Sequence, residues 1–174
     1  VNYANEASVD HIPVGAYPKQ VIAEANEDLE TLCNFLRQQG IDVQRPLRST
    51  TEYYNYCPRD VVFAHKNLAL ATPMPIRARR NNYLSLQHCF DDLMVAERSY
   101  DKSNYNLDCI GNPDVLALNE NQPMFDAANI LRANDDLLYL VSNSANSQGA
   151  DLLQEMVGSN TRVHKLSGVY SYMH

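Results

Sequence analysis

Two acidic residues occupy comparable places along the chain. Asp60 lies in "CPRDVV" and Asp126 in "FDAANILR", and each stands at or just before an apolar run that predicts a β-strand. Strands arranged around a common centre would bring both carboxylates to one pocket, where they would suit a cationic ligand. The alternative is that each acid caps a turn through nearby backbone amides, and residue types alone favour that role. The chemistry therefore depends on the elements that position these acids.

The first part of the chain predicts a lead-in and one helix. Apolar residues between Lys19 and Gln39 recur at steps of three and four, which is typical of one face of an amphipathic helix. Gly40 stands where such a helix ends, and residues 41–43 ("IDV") predict a short strand. We expect residues 1–54 to form this lead-in and helix.

A hairpin followed by a helix occurs twice in the rest of the chain. "RDVVFAHKNLALATP" predicts two strands joined by a turn at 65–67, and residues 77–99 predict a helix. After a further predicted strand at 114–119, the pattern returns. Its parts are strands at 129–131 and 137–141, with a turn between them, and a helix near 148–157.

The sequences of the two hairpins align at an offset of 69 residues. Apolar residues then occupy equivalent positions at Val61/Ile130, Val62/Leu131 and Leu68/Leu137. Each copy needs a neighbour to cover its apolar face. This pattern predicts a repeated α+β architecture over residues 55–174, within a single domain spanning 1–174 that we expect to be incomplete.

Composition excludes several classes of function. The chain has 174 residues, 45% of them apolar, and a net charge of −7, which disfavours non-specific binding to nucleic acid. No apolar run is long enough for a membrane span, and we expect a cytoplasmic protein with reduced thiols. The cysteines and histidines lack metal-ligand spacing, so we expect no metal and no cofactor.

Four segments together resemble the glycine amidinotransferase family, which includes arginine:glycine and inosamine-phosphate amidinotransferases. They are "CPRDVV", "TPMPIRAR" from Thr72, "FDAANILR" and the terminal "MH". The resemblance implies a pentein-like propeller of five ββαβ modules around a central pocket, of which this chain would hold a part. It also implies small-molecule substrates, arginine as donor and a small amine as acceptor. Glycine, which would yield guanidinoacetate, is the expected acceptor, and a homodimer is left open.

The resemblance also implies residue roles. Asp126 would be the catalytic carboxylate that grips the guanidinium, His174 the general acid/base, and Asp60 a second carboxylate that binds the donor. The family's nucleophilic cysteine lies beyond the histidine, and none of Cys33, Cys57, Cys89 and Cys109 matches it. We therefore expect this chain by itself to be inactive.

Two alternatives stay open. One is a guanidine hydrolase of the deiminase or dihydrolase type, in which water accepts the amidino group. The other is a non-catalytic module that binds a cation with its two acids. The basic cluster Arg77, Arg79 and Arg80 predicts a solvated face, with a contact to a substrate carboxylate or phosphate as the alternative.

Overall fold

The computed structural model describes residues 17–48, 57–75, 79–96 and 122–169. The chain divides into two compact units, residues 1–44 and residues 45–174. The predicted strand at 114–119, Cys109 and His174 lie outside the described residues.

The first unit contains helix α1 (Lys19–Gln38), as the apolar spacing predicted. Gly40 follows it with a positive φ of 78°, and its N–H is bonded to the carbonyl of Arg37, 2.9 Å away, so the glycine ends the helix. The predicted strand at 41–43 is wrong, because those residues have no strand pairing and Ile41 is exposed.

The second unit begins its regular structure with a 3-10 turn at Pro58–Asp60, here called turn I. Strands β1 (Val62–His65) and β2 (Leu68–Ala71) form an antiparallel hairpin in the register Val62 to Ala71. A 3-10 helix at Asn82–Cys89 leads to strand β3 (Met94–Val95), which pairs in parallel with β2. We call this ββ-helix-β unit module 1.

Module 2 repeats the same order. A 3-10 turn at Ala127–Asn129, here called turn II, precedes the antiparallel strands β4 (Ile130–Ala133) and β5 (Asp136–Leu140). Helix α2 (Ser147–Val157) then leads to β6 (Val163–Leu166), which pairs in parallel with β5. Each module is a three-stranded sheet whose helix crosses from the second strand to the third.

The modules differ in two respects from the sequence prediction. The long helix predicted at 77–99 is wrong, since the described residues hold a 3-10 helix followed by a strand. The hairpins align at an offset of 68 rather than 69, as the positive φ angles of Lys66 and Asn134 in their turns show. Module 1 has one extra residue, Val61, between its 3-10 turn and its first strand.

One apolar core joins the two modules. Phe63 and Leu70 from module 1 pack in the same cluster as Leu137, Tyr139 and further residues of module 2. Arg132 reinforces this contact, because its Nε donates to the carbonyl of Ala64 over 3.0 Å and its guanidinium lies 5.5 Å from the ring centre of Phe63. The two modules therefore hold turns I and II in fixed relation to one another.

Candidate functional site

Asp60 is the last residue of turn I, and its carboxylate is paired with Arg79. The Arg79 Nη1 donates to Asp60 Oδ2 over 2.8 Å, and Nη2 donates to the carbonyl of Cys57 over 2.9 Å. The side chains of Asp60 and Arg79 are 15% and 10% exposed. One guanidinium thus joins the start of turn I to its end and fixes the carboxylate between them.

The predicted solvated face is wrong for Arg79, which is buried against turn I. Arg79 binds an acid of its own chain, which was not among the interpretations drawn from the sequence. Arg59 also lies near this carboxylate, at 3.9 Å, but its side chain is 67% exposed. Two cations therefore flank Asp60, and the buried one holds it.

The backbone of turn I is tied to the segment that follows the hairpin. Thr72 Oγ1 lies 3.2 Å from the carbonyl of Asp60 and 3.3 Å from that of Val61, and its N–H donates to the latter. Since Thr72 begins the "TPMPIRAR" segment, its hydroxyl connects that segment to the "CPRDVV" segment. These contacts fix the position of turn I relative to the end of β2.

Asp126 is the N-cap of turn II and is 5% exposed. Its Oδ1 accepts from the N–H of Ala128 over 3.1 Å and from Asn129 Nδ2 over 2.9 Å. The backbone N–H of Asp126 donates to the carbonyl of Ser144 over 3.2 Å. Asp126 therefore caps a turn, which is the alternative to ligand binding that its residue type and position predicted.

A buried amide connects Asp126 to the loop after β5. Asn129, only 2% exposed, donates from Nδ2 to Ser144 Oγ over 2.8 Å and accepts at Oδ1 from Ser142 Oγ over 2.8 Å. Ser142 Oγ in turn accepts from the N–H of Ser144. The capping acid, the amide and the two hydroxyls form one hydrogen-bond network.

The residue before Asp126 lies in the centre of the core. Phe125 is fully buried, and its ring packs edge-on against that of Tyr139 with the centres 5.7 Å apart. Its N–H donates to the carbonyl of Pro73 over 3.1 Å, which links the two modules through backbone. Asp126 is thus attached by its backbone to a rigid point of the core.

Turns I and II contact each other. The structure therefore brings together the two elements that carry the acids singled out from the sequence. His174, the third predicted site residue, lies outside the described residues, so its distance from the two acids stays a prediction. The roles of Asp60, Asp126 and His174 in catalysis or binding are likewise predictions.

The described cysteines are reduced and occupy different surroundings. Cys33 is buried, whereas Cys57 and Cys89 are partly buried. Burial raises the pKa of the Cys89 thiol, which opposes formation of the nucleophilic thiolate. These observations do not single out any of the three as a nucleophile.

Within the described residues, no group of three or more His, Cys, Asp or Glu side chains is arranged to hold a metal ion. The helices in those residues are each too short or too polar to cross a membrane.

Sequence reasoning missed Arg79 and Asn129, the two side chains that hold the acids. Arg79 was noticed only as part of a basic cluster. The pairing of a buried arginine with a distant aspartate leaves no periodic pattern in the amino-acid sequence. Asn129 lies three residues after Asp126, which is the spacing of a side chain that folds back on its own N-cap. That spacing is the feature of the sequence from which the contact between Asn129 and Asp126 could have been predicted.

Comparison with solved structures defines the class of fold. The chain superposes on inosamine-phosphate amidinotransferase from Streptomyces griseus with a TM-score of 0.80 and 31% identity, over 95% of this chain and 52% of that one. A dimethylarginine dimethylaminohydrolase matches with a TM-score of 0.60 over 84% of this chain and 53% of that one, but at 15% identity, which indicates fold alone. The two modules thus have the α+β pentein fold, and this part of the predicted architecture is confirmed.

Sequence comparison is more specific. Inosamine-phosphate amidinotransferase 1 of Streptomyces glaucescens is 35% identical over 200 residues, which include the whole of this chain and 55% of the relative. A glycine amidinotransferase of Xenopus tropicalis is 26% identical over 87% of this chain and 43% of that protein. No family model matches the chain.

The chain is therefore homologous, along its whole length, to the inosamine-phosphate amidinotransferases, and more distantly to glycine amidinotransferases. This confirms the resemblance inferred from the four segments. The chain spans about half the length of the curated relatives it matches.

Proposed function

We propose that this chain contributes the carboxylates Asp60 and Asp126 to an amidinotransferase site, in which arginine is the donor and an amine is the acceptor. The observation that carries this proposal is the placement of Asp60 and Asp126 on two contacting turns of a chain homologous to amidinotransferases. In this proposal, the two ββαβ modules belong to a ring of five around the pocket.

The chemistry requires carboxylates because guanidinium is planar, delocalised and permanently charged. A carboxylate that holds the cation in plane leaves its central carbon open to a nucleophile from one face. Asp126 is suited to this role, since its turn is rigid and mostly dry, which strengthens its attraction for a cation. Asp60 would provide a second anionic contact to the donor.

In the proposed reaction, a cysteine thiolate attacks the guanidinium carbon and forms a C–S bond. His174 then protonates the nitrogen of the departing ornithine, and the C–N bond breaks to leave an S-amidino cysteine. In the second half, His174 removes a proton from the acceptor amine as its nitrogen attacks the same carbon, and the thiolate leaves. The proposal assigns the nucleophile to a cysteine outside this chain.

The acceptor predicted from sequence alone was glycine. The comparisons favour a different acceptor, because relatives named for inosamine phosphate reach 34 to 35% identity whereas those named for glycine reach 26%. We therefore propose an aminated cyclitol phosphate as the acceptor, with glycine as the competing substrate in the assay.

The test supplies arginine labelled at its guanidino carbon to the longest product of the gene and follows the label. Transfer to inosamine phosphate with release of ornithine is expected. Transfer to glycine instead would contradict the proposed acceptor and retain the reaction. Citrulline or urea formed without any acceptor amine would replace the transferase proposal with a hydrolase.

The 174-residue chain provides a second arm of the same assay. It is expected to release no ornithine, because the proposed nucleophile is outside it. Ornithine release by this chain would contradict the assignment of the nucleophile to a cysteine outside it.

A further inference from the structure

We propose that Asn129 is the positioning residue for Asp126: its amide sets the orientation and charge state of the carboxylate that receives the donor. This inference rests on the proposed function. It assigns a role to a residue that the sequence did not single out, and it depends on the hydrogen-bond network of turn II.

The direction of every hydrogen bond around Asn129 is determined by its partners. The Asp126 carboxylate accepts, so the amide must present Nδ2 to it, at 2.9 Å. The Oδ1 atom then faces Ser142, whose hydroxyl donates over 2.8 Å. Ser144 Oγ takes a second hydrogen from Nδ2 at 2.8 Å. The reversed amide would place an oxygen against a carboxylate oxygen, so the network permits one orientation.

The network acts on one carboxylate oxygen in particular. Asn129 Nδ2 and Ala128 N–H both donate to Oδ1 of Asp126, which fixes the plane of the carboxylate relative to turn II. Donors to an ionised carboxylate favour its charged form, and that is the form that binds a guanidinium. Both of these donors are neutral, so they orient the carboxylate without themselves compensating its charge.

A second buried asparagine in the same module provides a matched comparison. Asn146 is 1% exposed, accepts from the N–H groups of Met124 and Gly149, and donates to the carbonyl of Gln122. It therefore has a burial and a hydrogen-bond pattern like those of Asn129, but these bonds go to backbone groups. A purely structural role for Asn129 predicts the same consequences for both residues.

The experiment measures kcat/KM for amidino transfer as a function of pH in the longest product of the gene. The variants are Asn129→Ala and Asn129→Asp, with Asn146→Ala as the matched control and Asp126→Asn as the reference for lost function. Rates are expressed per folded protein, from the amplitude of the unfolding transition. Asn129→Asp keeps the shape of the side chain, and Ser142→Ala removes the donor to Asn129 Oδ1 together with the acceptor of the Ser144 N–H, so the test does not depend on the folding of one variant.

Both Asn129 variants are expected to lower kcat/KM by about 10- to 100-fold, which is the loss of one charge-assisted hydrogen bond. They are also expected to move the acidic limb of the profile up by about one pH unit, because the carboxylate loses a donor or gains a like charge. Ser142→Ala should give a smaller shift in the same direction. Asn146→Ala should lose folded protein while its acidic limb stays in place.

The two possible failures are distinguishable. If the wild-type protein transfers the amidino group, Asp126→Asn is inactive, and the Asn129 variants match Asn146→Ala in limb position and rate per folded protein, the positioning role is overturned and the proposed function stands. If the wild-type protein transfers nothing, the proposed function fails, and the inference built on it fails too.

Discussion

The two modules hold their acids by different chemistry. Asp60 is paired with a buried guanidinium, that of Arg79, and a second arginine lies nearby. Asp126 receives hydrogen bonds from a backbone amide and a carboxamide, which are neutral donors. Asp60 is the last residue of turn I whereas Asp126 is the N-cap of turn II, so the two acids differ both in their place on the turn and in their partners.

That difference affects what each acid can do for a cationic ligand. A carboxylate next to a guanidinium of its own protein has part of its charge already compensated. The two neutral donors to Oδ1 of Asp126 fix its orientation and do not themselves compensate its charge. We therefore expect Asp126 to be the main contact for the donor's guanidinium and Asp60 to have a secondary effect on binding.

The largest expected effect is on Asp126. Asp126→Asn should reduce amidino transfer by about a thousandfold or more, because a neutral amide cannot balance the guanidinium. Asparagine is as good an N-cap as aspartate, so turn II should remain intact. Steady-state rates of the longest gene product, with circular dichroism as the check on folding, measure both effects.

Asp126→Ala completes that comparison. It should lose the activity and also destabilise the fold by about 1 kcal/mol, since alanine cannot cap turn II. If Asp126→Asn kept most of the activity, Asp126 would be a capping residue and nothing more.

Arg79→Ala should cost about 3 kcal/mol of unfolding free energy, because it leaves the largely buried Asp60 without its partner. Arg59→Ala removes the exposed neighbour of the same acid and should change stability by about 0.5 kcal/mol or less. Urea denaturation of the 174-residue chain measures both values. Equal effects of the two substitutions would mean that the burial of Arg79 has no energetic consequence.

Gly149→Ala should destabilise module 2 by about 2 kcal/mol through crowding. A Cβ at this position would lie 2.7 Å from the carbonyl oxygen of Met124 and 2.9 Å from Cδ1 of Phe125, and it would also meet the hydroxyl of Tyr139. Asp151→Ala, on the exposed side of the same helix, is the control and should have little effect. The same denaturation experiment measures the change, and equal stability of Gly149→Ala and wild type would show that α2 can move away from the core.

The smallest expected effect is a pH dependence at His65, in module 1. Burial lowers the pKa of His65 below its ordinary value of 6.5, and Lys66 and Arg132 lower it further, while Asp135 acts in the opposite direction. Its Nε2 lies 3.3 Å from the hydroxyl of Thr161 in module 2, which also accepts from Lys66. A protonated His65 would add a third cation to this junction.

The sign follows from the lowered pKa. Below about pH 6.5 the unfolded chain binds a proton that the folded chain resists, so stability should fall as the pH decreases below that value. His65→Gln should flatten the dependence of the unfolding free energy on pH in that window. An unchanged slope in the variant would place the pH dependence elsewhere.

Much of the fold could be predicted because both hairpins have local signals. The turn at Asn134 and Asp135, the helix α2 and the helix α1 all follow from turn-forming residues and apolar spacing. The helix predicted at 77–99 was wrong: Leu84 on its predicted apolar face is exposed, the 3-10 helix instead buries Asn82, Ser85 and Leu86, and β3 pairs with β2. The 69-residue offset was wrong by the single residue Val61, which sequence alignment of short apolar runs cannot place.

The acids of the site could be found from their position before apolar runs and from the family resemblance. Their partners could not, since Arg79 reaches Asp60 from 19 positions away and its burial depends on tertiary packing. The choice between capping and ligand binding was also open, and the structure gives Asp126 a cap that does not exclude the other role. A side chain can satisfy one oxygen within its own turn and still face a ligand with its carboxylate.

The most direct test is a crystal structure of the longest gene product with arginine bound and the proposed nucleophilic cysteine changed to alanine. We predict that the guanidinium lies within hydrogen-bond distance of the Asp126 carboxylate, with Asn129 still bonded to its Oδ1. A guanidinium bound to other residues, with Asp126 contacting only turn II and its neighbours, would contradict this account.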